Sequence, residues 1–144
     1  MKDFVDRVGV LVVGRRLFDM TDGWGGIHPL DRPVVVVTHN VPEAWVQSHP
    51  DAPFTFVTDG LAAAIERARE IAGDRDVAVN GGTIATQCLE LGLLDEISFD
   101  LVPVILGGGV PFFDHVKTAP ILLDGPTVTA GSRVTHLRFV VRKP

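Results

Sequence analysis

Three short stretches of this chain carry residue types suited to binding an anion. Gly14-Arg15-Arg16 follows the apolar run Val10–Val13 and precedes Leu17, Phe18 and Met20. Gly81-Gly82-Thr83 follows Val77–Val79 and precedes Ile84, Cys88 and Leu91, while Thr38-His39-Asn40 closes a four-valine run at 34–37. A strand, a glycine turn and a helix start, in that order, bring free backbone N–H groups together. The helix dipole there favours negative charge, and glycines let a phosphate approach the backbone. An arginine at such a turn adds a planar guanidinium that can hold a phosphate through two parallel hydrogen bonds. The polar cluster at 38–40 ends a strand, and in open α/β sheets ligands collect at the carboxyl ends of strands. Each stretch also has a plainer reading: the glycine turns as connectors, the two arginines as solvated charges, the 38–40 cluster as an ordinary turn.

The elements that must position these residues follow from hydrophobic periodicity. Residues 4–13 read as the end of a helix passing into a buried strand, Val10–Val13, with a short apolar helix behind Arg16. Residues 21–33, with Asp22-Gly23-Trp24-Gly25-Gly26 inside them, are loop, and Trp24 pins that loop to the core. The valines at 34–37 suit a strand buried on both faces, one helical turn is expected near Glu43–Gln47, and Phe54–Val57 is another strand. Asp59 is the expected N-cap of the longest helix, about 60–72, whose buried stripe is Leu61, Ala64, Ile65, Ala68, Ile71 and Ala72. Ile84, Cys88 and Leu91 form the apolar face of the next helix, with Gly92 at its C-cap. Pro103 interrupts the strand pattern 97–106 and implies an edge position or a bulge, Gly125-Pro126 marks a turn, and 128–129 and 134–141 form an antiparallel hairpin. The fold class is therefore α/β, with strands alternating with helices before an antiparallel end.

Composition limits the chemistry further. A chain of 144 residues, 46% hydrophobic and 22% charged, is expected to be one domain with a sizeable core. A net charge of −5 argues against a broad nucleic-acid footprint, which needs clustered Lys and Arg. The single cysteine, Cys88, excludes an internal disulfide and reads as a small core hydrophobe. No run is long and apolar enough for a membrane span, and Met1-Lys2-Asp3 does not open a signal peptide, so a cytoplasmic protein is expected. The five histidines lack metal-ligand spacing, so no metal site is expected. Asp95-Glu96 reads as a solvated or capping pair. With no nucleophile or general base apparent, a reaction carried by a cofactor fits best, because the protein then supplies mainly binding and orientation.

The runs VLVVGRRLFD at 10–19 with the following DGWGG, VVVVTHNVPE at 34–43 and FVTDGLAAAIERAREIAGD at 56–74 carry a family resemblance. So do DVAVNGGTIATQCLELGLLDEISFDLVPVILGGGVPFFD at 76–114 and the closing THLRFVVRKP. Together they resemble the dihydrofolate reductase-like superfamily, in particular the C-terminal reductase domain of bifunctional riboflavin-biosynthesis proteins. The resemblance implies a twisted, mostly parallel sheet flanked by helices with an antiparallel C-terminal hairpin, and NADPH as cofactor. By position, Gly14, Arg15 and Arg16 match the first phosphate-binding turn. Thr38 and His39 match the turn that meets the adenosine 2′-phosphate, so His39 would favour NADPH over NADH. Gly81, Gly82 and Thr83 match the Gly-Gly turn on the pyrophosphate and nicotinamide side, where one peptide bond is expected to be cis.

The implied activity is hydride transfer to a C=N or C=O group of a small pyrimidine- or pterin-like heterocycle or a sugar-like substrate, by a homodimer. The alternative is a nucleotide-binding or degenerate module without turnover. Superfamily members begin with a further strand, loop and helix that line the nicotinamide and substrate pocket, and that strand lies beside the one matching Val77–Val79. The present chain opens after the matching position. The expectation is that the sheet re-pairs, takes a strand from a second copy, or belongs to a longer protein.

Overall fold

The β-branched runs picked out above set the architecture of the first half of the chain. A computed structural model describes residues 2–80 and 82–143. In chain order the elements are α1 (Lys2–Arg7), β1 (Val8–Gly14), α2 (Arg15–Thr21), a 3₁₀ turn at Asp22–Gly26, β2 (Val34–Val37), α3 (Glu43–Ser48), β3 (Phe54–Val57), α4 (Leu61–Ala72) and β4 (Asp76–Val79). They continue with α5 (Thr83–Glu90), β5 (Glu96–Leu101), β6 (Leu123–Ala130) and β7 (Thr135–Val141). The chain divides into two compact units, residues 1–80 and 81–144.

In the first unit four parallel strands pair in the order β3-β2-β1-β4. The core of this sheet is valine: Val10, Val12, Val13, Val35 and Val36 are fully buried. Each such side chain contributes about 1.5–3 kcal/mol when taken out of water. One face packs Leu11, Val13, Val34 and Val36 against Phe18, Trp45, Phe54 and Phe56. Phe18 is the hub, with its ring centroid 5.0 Å from Trp45, 5.3 Å from Phe56 and 6.0 Å from Phe54. By strand alternation Val10, Val12 and Val35 face the opposite side, where α4 packs over β1, β2 and β4. Burial of both faces explains why β1 and β2 read as continuous apolar runs rather than alternating ones. β4 pairs with β1 through Leu11↔Ala78 and Val12↔Val79 and forms an edge of this sheet. Its residues 77–79 are half-buried where a buried strand was expected.

The expected N-cap of α4 is displaced by one residue. Gly60, at φ 97°, occupies the cap and makes no side-chain cap bond, so Asp59 stands one position too early to reach the first-turn amides. The buried stripe of Leu61, Ala64, Ile65, Ala68 and Ala72 is as expected, with Ile71 only half-buried.

The second unit is built on an antiparallel sheet ordered β5-β7-β6. β6 and β7 form the expected hairpin. Leu89 of α5 and Ile97 and Phe99 of β5, with Phe113, Val116 and Ile121, line an apolar cavity of about 180 Å³. α5 ends in paired reverse hydrogen bonds, Gly92 N–H to Leu89 C=O (3.1 Å) and Leu93 N–H to Cys88 C=O (2.8 Å). That turn carries Leu91 out of the predicted stripe, so Leu91 is exposed while Ala85, Thr86 and Cys88 are buried. β5 is an edge strand and stops at Leu101, two residues short of Pro103 and well short of the expected end at 106. Gly125-Pro126 is a bulge and not a turn. The register of β6 against β7 slips between Asp124 and Thr127, which lets a residue without an N–H sit inside a strand.

Candidate functional site

Parallel pairing brings the predicted phosphate-side residues to one edge. Gly14 is in register with Val37, and Val37 with Val57, so three strands end level with one another. Arg15 and Thr38 are the first residues past those ends, followed by Arg16 and His39. Gly14 itself has extended backbone (φ −81°, ψ 163°) and precedes α2.

The two arginines have different surroundings. Arg15 Nε donates to Asp19 Oδ1 at 2.8 Å, while its Nη1 donates to Thr38 Oγ1 at 3.0 Å and to the Asn40 carbonyl at 2.5 Å. Its guanidinium carbon also lies 6.0 Å from the Phe18 ring centroid. Thr38 is buried; its hydroxyl donates to the Asn40 carbonyl (2.9 Å) and its N–H to the Val57 carbonyl (3.1 Å). Arg16 and His39 are exposed and have no hydrogen-bond or ion-pair partner among the described residues. The edge therefore holds one tied and neutralised arginine, one open arginine and one open imidazole. Such a set can accept an anionic group.

α2 is held in place from behind by an unusual strap. Asp22, Gly23, Trp24 and Gly25 all take left-handed backbone angles, with φ between 49° and 66°. The Asp22 carbonyl accepts the Trp45 indole N–H at 3.2 Å, and Trp45 stacks on His49 at 4.2 Å. His28 sits edge-on to Trp24 at 4.5 Å, and its Nδ1 accepts the Leu30 N–H at 3.0 Å. Burial pushes the His28 pKa below its ordinary value.

In the second unit, Gly82 caps α5 at φ 83°, ψ −142°, a conformation open to glycine and strained for other residues. Its N–H donates to the Phe112 carbonyl at 3.2 Å, and Thr83 is exposed at the first helical position. Gly81 lies outside the described residues, and with it the two peptide bonds that it makes in the turn where one cis bond is expected. Gly82 and Thr83 thus belong to one unit, and Gly14, Arg15, Arg16, Thr38 and His39 to the other.

Asp19 was not foreseen as part of the site. Its four-residue spacing from Arg15 on α2 was the available signal. Asn40 acts through its main-chain carbonyl, which no sequence motif encodes. Asp95 and Glu96, expected as a solvated or capping pair, form ion pairs at the surface with Lys143 (3.1 Å) and Arg138 (3.8 Å). Burial raises the Cys88 thiol to about 11, which removes it as a nucleophile. Among the described residues no cluster of three or more His, Cys, Asp or Glu could hold a metal ion, and no helix is long and apolar enough to cross a membrane.

A parallel sheet flanked by helices and a separate antiparallel hairpin sheet define a dihydrofolate reductase-like α/β protein. The comparisons agree: residues 7–136 match the RibD C-terminal domain, and the chain belongs to that family. A crystal structure from Shewanella sp. PV-4, of a protein assigned provisionally to riboflavin biosynthesis, is similar in fold, with a TM-score of 0.73 and 23% identity over 99% of this chain and 79% of that one. Among curated proteins, the uncharacterized YyaP of Bacillus subtilis strain 168 is 26% identical over 95% of this chain and 76% of its own. YwjB of the same strain, also uncharacterized, is 22% identical over 79% of this chain and 63% of its own length.

Proposed function

We propose that this protein is an NADPH-dependent reductase that transfers hydride to a small heterocycle of pyrimidine or pterin type. The observation that carries the reading is the edge at β1 and β2, where Arg16 and His39 stand open beside an arginine already fixed to the backbone of the neighbouring turn. Family membership supports the same reading. On the first unit, Gly14, Arg15, Arg16, Thr38 and His39 would bind the adenosine phosphate; Gly81, Gly82 and Thr83, in the second unit, are proposed as further cofactor-binding residues. The open guanidinium of Arg16 and the imidazole of His39 suit a 2′-phosphate. The glycine-only backbone at Gly82 suits a close main-chain approach. When bound, NADPH supplies the hydride, and the chain's part is to bind, orient and exclude water. We propose further that the chain works as one domain in a cytoplasmic homodimer, with a small-molecule substrate and no nucleic-acid partner.

The test is an NADPH titration by fluorescence or calorimetry on the full chain, with Arg16→Ala and Gly82→Val alongside. Micromolar binding that both variants lose is the expected result. Absence of binding by the parent chain would sink the reading. A second reading, binding without turnover, is favoured by one observation: the phosphate-side residues form a self-contained group on the first unit. Tight NADPH binding combined with no NADPH oxidation across a panel of pyrimidine and pterin substrates would select it.

A further inference from the structure

We propose that the two arginines divide the work: Arg15 is a positioning residue that fixes the 38–40 turn, and Arg16 with His39 is what a ligand phosphate meets. The proposal rests on the cofactor reading above and deepens it. A guanidinium has five N–H donors. In Arg15, Nε is taken by Asp19, and the two Nη1 hydrogens are taken by Thr38 Oγ1 and the Asn40 carbonyl. Only Nη2 is left, and the Asp19 carboxylate at 2.8 Å offsets the charge. Thr38 is equally committed. It is 7% exposed, accepts from Arg15 and the Asn40 N–H, and donates to the Asn40 carbonyl.

Releasing either residue to a ligand would strip partners from the turn that carries His39. Arg15, Thr38 and Asn40 are therefore a brace. Its planar guanidinium holds Asp19 through Nε while Nη1 reaches a side-chain hydroxyl and a main-chain carbonyl, a fixed two-nitrogen pattern that a single lysine ammonium on a flexible stem does not reproduce. Arg16 is exposed with no partner among the described residues, and it leaves β1 level with the point where His39 leaves β2. Of the two arginines at this edge, Arg16 is the one whose guanidinium has no carboxylate partner among the described residues. Asp19, by pairing its carboxylate with the Arg15 guanidinium, limits how strongly the edge attracts anions.

Conservative substitution separates the two roles. NADPH affinity and amide hydrogen exchange of the 37–41 segment are measured on the parent chain and on Arg15→Lys, Arg16→Lys, Arg16→Ala and Asp19→Asn. Arg15→Lys is expected to speed exchange at 37–41 and to weaken NADPH on the order of tenfold. Arg16→Lys keeps parental exchange and affinity within about threefold, because a positive charge is retained. Arg16→Ala keeps parental exchange and weakens NADPH about 10- to 100-fold, the range of one charge-assisted hydrogen bond. Asp19→Asn tightens NADPH about two- to fivefold, the scale of an exposed charge pair.

Parental exchange and affinity in Arg15→Lys would overturn the positioning role, and parental affinity in Arg16→Ala would overturn the ligand role. If the parent chain binds no NADPH, the cofactor reading and the ligand role fall together. The exchange measurement on Arg15→Lys still decides the brace, and unchanged exchange there overturns it.

Discussion

The strap at Asp22–Gly26 offers a sharp test of how this fold packs its aromatic face, because two glycines in the same left-handed run face different surroundings. Gly23 is buried at φ 56°, and a Cβ there would lie 2.6 Å from Trp45 Cζ2 and 2.7 Å from Phe18 Cε2. Gly25 is exposed at φ 66°, and a Cβ there would meet nothing within 4 Å. Gly25→Ala therefore incurs only the left-handed backbone penalty, about 1–2 kcal/mol. Gly23→Ala adds overpacking against two rings of the aromatic cluster, about 1–3 kcal/mol more. The expected loss is about 2–5 kcal/mol for Gly23→Ala and about 1–2 kcal/mol for Gly25→Ala. Urea unfolding followed by tryptophan fluorescence is the suitable assay, since both tryptophans, Trp24 and Trp45, belong to the first unit and report on it directly. Equal losses in the two variants, within about 0.5 kcal/mol, would refute the packing argument and leave strain as the whole effect.

Other outcomes follow from single sites. Phe18→Ala removes the hub of the aromatic face and should cost about 3–5 kcal/mol, read from the same unfolding curves; a loss under about 1 kcal/mol would contradict the packing described for it. Burial disfavours the protonated form of His28, so its folded pKa lies below the unfolded value of 6.5. The unfolded chain then binds more protons, so the contribution of His28 is fully present above pH 6.5 and is lost as pH falls from there through the folded pKa. An NMR titration of His28 with a midpoint at or above 6.5 would reverse that sign. Cys88, buried and raised to about 11, should resist thiol reagents at pH 8 until denaturant is added, and stoichiometric labelling of the native chain within minutes would contradict its burial.

Much of the framework could be read from residue types alone. Strands buried on both faces appear as unbroken valine, which is why β1 and β2 fall where the apolar runs lie. The C-terminal hairpin was equally legible, because two strand patterns separated by Gly131-Ser132 leave no room for a crossover helix. What failed depended on backbone angle rather than side-chain pattern. Asp59 has the chemistry of a cap, but the turn is made at Gly60. Gly125-Pro126 has the chemistry of a turn, yet the strand continues past it as a bulge because β7 pairs on both sides of the slip. Leu91 has helical spacing from Cys88 and still faces water, since the reverse hydrogen bonds at Gly92 and Leu93 end the helix first.

The candidate site was legible to a similar depth and failed at a similar point. Sequence gave Arg15 and Arg16 as equivalent cations beside a glycine, and only parallel register separates them. With Gly14 level with Val37, Arg15 comes to stand beside Thr38, within reach of a hydroxyl, a main-chain carbonyl and, one helical turn on, Asp19. An arginine so placed serves the fold first, because withdrawing it would remove one of the two donors to the buried Thr38 hydroxyl and one of the two to the Asn40 carbonyl. Its neighbour has no such obligations among the described residues. Two adjacent residues of one type thus acquire different hydrogen-bond surroundings from a one-residue difference in register. That allocation is a property of strand pairing, and it is the part of the site that residue types and spacing do not encode.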